Sequence, residues 1–211
     1  MEAKRVRNEL PTLLIVTICF AAISSSVTFY ILSPRASQAY MDLGISSQNG
    51  LQGFVSNSTL HPGSTSNWTL SVTNRMGSSQ FVMIIARIAN STLPPPNIAT
   101  PSTWFPEITS PEQFVGDRDT MNIKFSWTLQ NVTQTSKPNQ LFLILQIRGQ
   151  PVIVSSPVGA IFGQNFRWIF ELWTYDLSCG NLLSSGCFHY GYGPQTAPTG
   201  TWLQIWFNAQ P

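Results

Sequence analysis

The chain has 211 residues, of which 9% are charged and 12% aromatic, and its formal net charge is +2. From Ser33 onward eight Lys or Arg stand against seven Asp or Glu in 179 residues, a balance that offers no electrostatic footprint for nucleic acid. Thirteen Phe, seven Trp and many Ile and Val exclude a disordered chain, which is poor in those residues.

Lys4, Arg5 and Arg7 outweigh Glu2 and Glu9, and no charge occurs from Leu10 through Pro34. At 1.5 Å per residue, residues 10–32 predict a helix of about 35 Å, enough to cross a bilayer. Positive residues are retained on the inner side. The expected organisation is therefore a cytoplasmic N-terminus (1–9), a single transmembrane helix (10–32) in membrane lipid, and an extracytoplasmic domain (33–211). Tyr30 and Arg35 stand where an interfacial aromatic and a headgroup anchor belong. Ser37-Gln38-Ala39 has the small residues a signal peptidase uses, so cleavage is the competing reading. The apolar span, however, exceeds the roughly 7 to 15 residues of a signal core. Ala21 and Ser25, like Ala22 and Ser26, are four apart and strip one helical face of bulk, which suits a second helix. The alternative is that the serines bond back to their own helix carbonyls.

Beyond the span, Ala39–Ile45 and Leu51–Val55 are weak strand candidates. Pro62-Gly63 marks a turn. Trp68, Leu70 and Val72 then alternate with Asn67, Thr69, Ser71 and Thr73, the period of a half-buried strand. Met76-Gly77 reads as the next turn, with a hairpin partner expected in the apolar run Phe81–Ala89, where Arg87 needs a partner. Residues 91–120 hold Pro94, Pro95, Pro96, Pro101, Pro106 and Pro111; with so many amides missing, the expectation is a long irregular loop. Trp104 and Phe105 on that loop are expected to be covered by the domain or by a partner protein.

Met121, Ile123, Phe125, Trp127 and Leu129 alternate with polar residues without exception, predicting another half-buried strand. Leu141–Ile147 is an apolar run of the kind covered on both faces. Phe166, Trp168, Phe170 and Leu172 mark a face of a further strand, and Trp202–Phe207 a last one. Short strands punctuated by Gly, Pro and Asn predict a mainly β fold, an antiparallel sandwich rather than a closed barrel.

Cys179 and Cys187 bracket a hairpin-sized loop, and outside the membrane such thiols pair. A disulfide there stabilises by roughly 2 to 3 kcal/mol in the chain-entropy model, leaving Cys19 as a small apolar residue in the span. The alternative makes Cys187 and His189 metal ligands, but the only other histidine is His61 and no Met follows Met121. Four Asn-x-Ser/Thr sequons, Asn57, Asn67, Asn90 and Asn131, are candidate glycosylation sites. Chance alone supplies about two or three in such a composition.

Chemistry is sparse. His61 and His189 are the only imidazoles for a nucleophile's base. Glu107, Glu112, Asp117 and Asp119 suit a solvated turn better than paired acid–base or calcium work. Glu171 among aromatics fits a buried ion pair with Arg87, Arg148 or Arg167 better than a proton-transfer group. No phosphate loop, dinucleotide fingerprint or zinc spacing occurs, so no enzyme and no cofactor is expected. Trp104, Trp168, Trp173, Trp202 and Trp206 make carbohydrate a possible partner, though their alternation with bulky residues suits a core.

Residues 62–88, a Pro-Gly turn, an alternating strand, a Gly turn and a long apolar strand, resemble immunoglobulin-like modules of prokaryotic surface proteins. Over the whole chain, the anchor, Asn-Gly near position 50, Val-Thr-Asn-Arg-Met-Gly, Phe-Glu-Leu-Trp and Trp-Leu-Gln-Ile-Trp-Phe resemble membrane-anchored archaeal envelope proteins of unknown function. The resemblance implies an exported immunoglobulin-like β-sandwich tied to the membrane, and no catalytic residues. The expected function is that of a structural or accessory subunit associating with other envelope proteins, with a glycan- or metal-binding module as the alternative.

Overall fold

The structure, a computed structural model, describes residues 15, 17–25, 28, 39–47, 59–90, 93–102, 107–109, 112–136, 139–157, 166–179, 187–193 and 199–211. It divides into two units, Met1–Gln38 and Ala39–Pro211.

In the first unit residues 17–25 are helical. Ser25 Oγ donates to the Ala21 carbonyl at 2.7 Å and Thr28 Oγ1 to Ser24 at 2.8 Å, so these hydroxyls bond back to their own helix. Ala21, Ala22 and Ser25 are exposed, while Ser26 lies outside the described residues. Among the described residues no helix is long and apolar enough to cross a membrane; much of the expected span, 10–32, falls outside them.

The second unit is mainly β. In chain order its strands are β1 (Tyr40–Ser47), β2 (Thr59–Leu60), β3 (Thr65–Arg75), β4 (Gln80–Asn90), β5 (Glu107–Thr109) and β6 (Gln113–Val115). There follow β7 (Thr120–Ser136), β8 (Asn139–Ile147), β9 (Gln150–Pro157), β10 (Phe166–Tyr175), β11 (Phe188–Tyr190) and β12 (Trp202–Ala209). A five-stranded sheet runs β1-β3-β7-β8-β9, and a seven-stranded sheet runs β2-β12-β10-β4-β5, with β6 also on β4 and β11 on β10. All pairings of these strands are antiparallel except β2 with β12. Together the sheets form a sandwich.

The period-two segments account for the inner faces. Trp68, Leu70 and Val72 of β3 and Phe125, Trp127 and Leu129 of β7 are buried on the side that meets Phe166, Trp168, Phe170 and Leu172 of β10. Trp127 contacts Trp68 at 5.5 Å and Trp168 at 5.4 Å between ring centroids, and Phe125 meets Phe170 edge-on at 5.1 Å. Such tilted and edge-to-face pairs add to the stabilisation from area buried.

Three expectations are corrected. First, β4 is not the hairpin partner of β3: it lies in the other sheet, paired with β10. The side chain of Asn74, wholly buried at the end of β3, bonds Ser78 O, Val115 O and the Met76 amide at 2.8 to 2.9 Å, bending the chain across rather than back. Second, residues 91–120 are not all irregular. β5 fits between Pro106 and Pro111, at Glu107–Thr109, β6 follows Pro111 at Gln113–Val115, and both pair with β4. Third, β7 runs beyond Leu129 through a register shift between Leu129 and Asn131, a bulge that turns Val132 inward and Asn131 outward. The expected strand Leu51–Val55 lies outside the described residues.

Candidate functional site

β10 is buried on both faces, and its outward-facing residues Arg167, Ile169 and Glu171 form the floor of the site. Glu171 is fully buried. Its Oε2 accepts from Arg87 Nε at 3.5 Å and Trp173 Nε1 at 3.4 Å, and its Oε1 accepts from the Ser102 amide at 2.5 Å and the Ser102 hydroxyl at 2.6 Å. Arg87 also reaches Glu107 Oε2 at 3.2 Å, because Arg87 and Glu107 stand opposite each other on β4 and β5. Of the three arginines considered for Glu171, the structure pairs it with Arg87. Shared charge and full hydrogen bonding make this burial tolerable.

Residues 93–102 form a strap over this face. The Arg167 guanidinium donates to Leu93 O, Gly200 N donates to Ile98 O at 2.7 Å, and Glu171 holds Ser102. Asn97 turns the strap by accepting from the Ala99 and Thr100 amides at 2.9 Å. A Cβ on Gly200 would stand 2.4 Å from the Tyr190 ring and 2.6 Å from Ile98 O, so only glycine fits between strap and ring. The Tyr190 hydroxyl is buried without a hydrogen-bond partner. Burial, then the negative charge of Glu171, push its pKa upward.

Arg167 is 2% exposed. Its Nη1 donates to Gln204 at 3.1 Å, its guanidinium carbon sits 4.8 Å from the Trp206 ring centroid, and its Nε has no partner. Burial lowers its pKa. Register places Trp202, Gln204 and Trp206 on the outward face with Glu171, Ile169 and Arg167, all three half-buried. Leu203, Ile205 and Phe207 point inward to the core. Trp168 is core as expected; Trp202 and Trp206 are on the outside of the sandwich, and half-buried Trp173 stands beside Tyr190 at 5.9 Å. The sequence signal for this was the alternation of Trp202, Gln204 and Trp206 with Leu203, Ile205 and Phe207.

Cys179 and Cys187 are disulfide-bonded, with Cα atoms 5.7 Å apart, and β11 returns onto β10 with His189 opposite Thr174. The bond consumes the thiolate that a metal site would need. Thr174 Oγ1 donates to Gly191 O at 2.7 Å and so accepts from His189 Nε2 at 3.1 Å, which also meets Gly193 O at 3.0 Å; this network places the proton on Nε2. A cleft of about 370 Å³ opens here between Met76, Gln80, Tyr175, Asp176, Leu177 and His189.

Asp117-Arg118-Asp119 is a turn, as read from the sequence, with Arg118 at φ 64°. It is tied to Asn74 through Arg118 N to Asn74 O at 2.8 Å and Asn74 N to Asp119 O at 3.0 Å. Asn67 on β3 and Asn131 on β7 are exposed on the outer face of the five-stranded sheet. Asn90 ends β4. Asn57, Trp104 and Phe105 lie outside the described residues. Ser102 and Tyr190 went unnoticed in the sequence, where an isolated Ser or Tyr has no pattern around it, and Asn74 stood within Val-Thr-Asn-Arg-Met-Gly without a role.

The fold and site define a disulfide-bonded, two-sheet antiparallel β protein with a strapped outer face. No family model and no curated protein matches the chain. Among solved structures, a Pseudomonas fluorescens alkylpurine DNA glycosylase, AlkC, bound to DNA containing an abasic site analog, aligns at TM-score 0.28 and 7% identity. The alignment covers 56% of this chain and 30% of that one, a likeness too slight to carry an argument about fold or function.

Proposed function

We propose that the chain is a single-pass protein of the cell membrane, with residues 1–9 cytoplasmic, residues 10–32 in lipid and residues 33–211 outside. There its immunoglobulin-like sandwich serves as a non-enzymatic structural or accessory subunit among other envelope proteins, as the resemblance to archaeal envelope proteins implies. The observation that carries this reading is the Cys179–Cys187 disulfide, because structural disulfides belong to oxidising compartments. The charge-free stretch from Leu10 through Pro34 supports the anchor. Asn57, Asn67, Asn90 and Asn131 are then available to a glycosylating enzyme. Contacts would run through the small-residue helix face (Ala21, Ala22, Ser25, Ser26) and through Trp104 and Phe105. Purification in mild detergent with mass spectrometry tests it: stoichiometric membrane subunits are expected, and a C-terminal tag protected inside the cell overturns it.

A second reading, a glycan-binding module, is favoured by one observation: Trp202, Gln204 and Trp206 face outward beside each other on β12. Binding of oligosaccharides to the purified full-length chain, followed by tryptophan fluorescence, is its test.

A further inference from the structure

From the outward faces of β10 and β12 we propose an anion-bearing saccharide site, in which Trp202 and Trp206 take sugar rings and Arg167 takes an acidic group on them. This rests on the glycan reading and names its ligand class.

The outer face of β10 carries a charge imbalance. Arg167 is buried, yet all seven Asp and Glu after Pro34 are among the described residues and none forms an ion pair with it. The two other buried charges on this face, Arg87 and Glu171, satisfy one another. Arg167 has instead the Trp206 ring, the neutral oxygens of Gln204 and Leu93, and an Nε without any partner. A buried cation with neutral acceptors only is a costly arrangement, and a guanidinium fork matches a carboxylate or sulfate edge better than a single carbonyl. Leu93, at the start of the strap, occupies the place such an oxyanion would take. Displacing its carbonyl gives a charge-assisted pair at the same nitrogen.

The surroundings select a sugar as carrier. Trp202 and Trp206 lie four residues apart on one strand face, about 13 Å at the rise of a strand, with the Gln204 amide between them. Aromatic faces with an amide between suit rings bearing hydroxyls. The span suits an oligosaccharide. Trp206 is held against Arg167 on one side, which orients its ring and couples the stacking surface to the charge. The acidic group is a uronic carboxylate or a sulfate ester; the chemistry at Arg167 is the same.

The test is titration of the full-length chain in mild detergent with an oligogalacturonate, a sulfated oligosaccharide and a neutral oligosaccharide of equal length, read by tryptophan fluorescence and calorimetry. At least tenfold tighter binding of one or both acidic ligands supports the proposal. Arg167→Gln should erase that preference, Arg167→Lys should restore part of it, and Trp202→Ala should weaken acidic and neutral ligands together. Acidic and neutral sugars binding alike would overturn the role of Arg167 and leave the glycan reading standing. No binding of any saccharide by the unsubstituted chain sinks both, and polyglutamate binding as tightly as oligogalacturonate overturns the sugar as carrier.

Discussion

The two sheets differ in what lies outside them. The five-stranded sheet turns a polar face of Thr65, Asn67, Thr69, Ser71 and Thr73 on β3 and Asn122, Lys124, Ser126 and Thr128 on β7 away from the core. Its hydroxyls pair across strands, Thr65 with Thr128 at 2.9 Å and Thr73 with Thr120 at 3.0 Å. The central β10 of the seven-stranded sheet is instead covered on its outer side by the strap, β11 and the segment around Gly200. There the outward positions hold Arg87, Arg167 and Glu171, all buried. One sheet meets its surroundings with side chains that need nothing from them; the other encloses charges that must be matched, and sites that bind arise from the second condition.

That contrast can be broken most forcefully at Glu171. Removing its carboxylate with Glu171→Ala takes from buried Arg87 its buried ion-pair partner and orphans the Ser102 amide. The expected loss is about 3 to 5 kcal/mol, measured by urea unfolding, with faster hydrogen exchange over residues 93–102. A loss below about 1 kcal/mol would show that the strap is not held by this charge. Opening the disulfide with Cys179→Ser and Cys187→Ser together should lower stability by about 2 to 3 kcal/mol, with mass spectrometry confirming two fewer oxidised thiols.

Asn74→Ala removes one buried and two part-buried hydrogen bonds where the chain passes between sheets, and about 1 to 3 kcal/mol is expected for the groups left unpaired. Tyr190→Phe tests pH dependence. The folded pKa of Tyr190 lies above its unfolded value, so its contribution is fully present below about pH 10 and is lost as pH rises beyond that, when the unfolded chain ionises first. The substitution should therefore flatten the alkaline fall in stability while leaving neutral pH nearly unchanged, since the hydroxyl has no partner there. On the polar face, Ser126→Ala should move stability by less than about 0.5 kcal/mol; a larger effect would mean that this face is covered too.

Much of the strand content was legible because period-two alternation is a local property. Trp68 to Thr73 and Met121 to Leu129 each announced one face in and one face out. Phe81–Ala89 and Leu141–Ile147 were legible as apolar runs, and β4 is indeed central in its sheet and buried on both faces, whereas β8 is not: it buries Leu141, Leu143, Leu145 and Ile147 on one face and leaves Phe142 and Ile144 half-buried and Gln146 exposed on the other. The prolines of 91–120 misled because they forbid a ladder only where they stand; the stretch between Pro106 and Pro111 sufficed for β5, and the one after Pro111 for β6. The site was less legible. Glu171 was expected to find an arginine, but Arg87, Arg148 and Arg167 were equivalent until β4 was placed beside β10. Trp202 and Trp206 resembled core residues because their alternation with Leu203, Ile205 and Phe207 does not say which set faces inward.

The sequence by itself determined where the long alternating and apolar strands run, which cysteines lie close enough to join, and how few charges the domain can use, since these follow from spacing and composition; β2, β5, β6, β9 and β11 came only with the structure. Only the tertiary structure decided that β3 and β4 belong to different sheets, that the strap closes over β10, and that Arg167 is buried without a carboxylate. Those outcomes depend on contacts between residues far apart in the chain, whose competing pairings have nearly equal local preference and are separated only when the whole core is assembled.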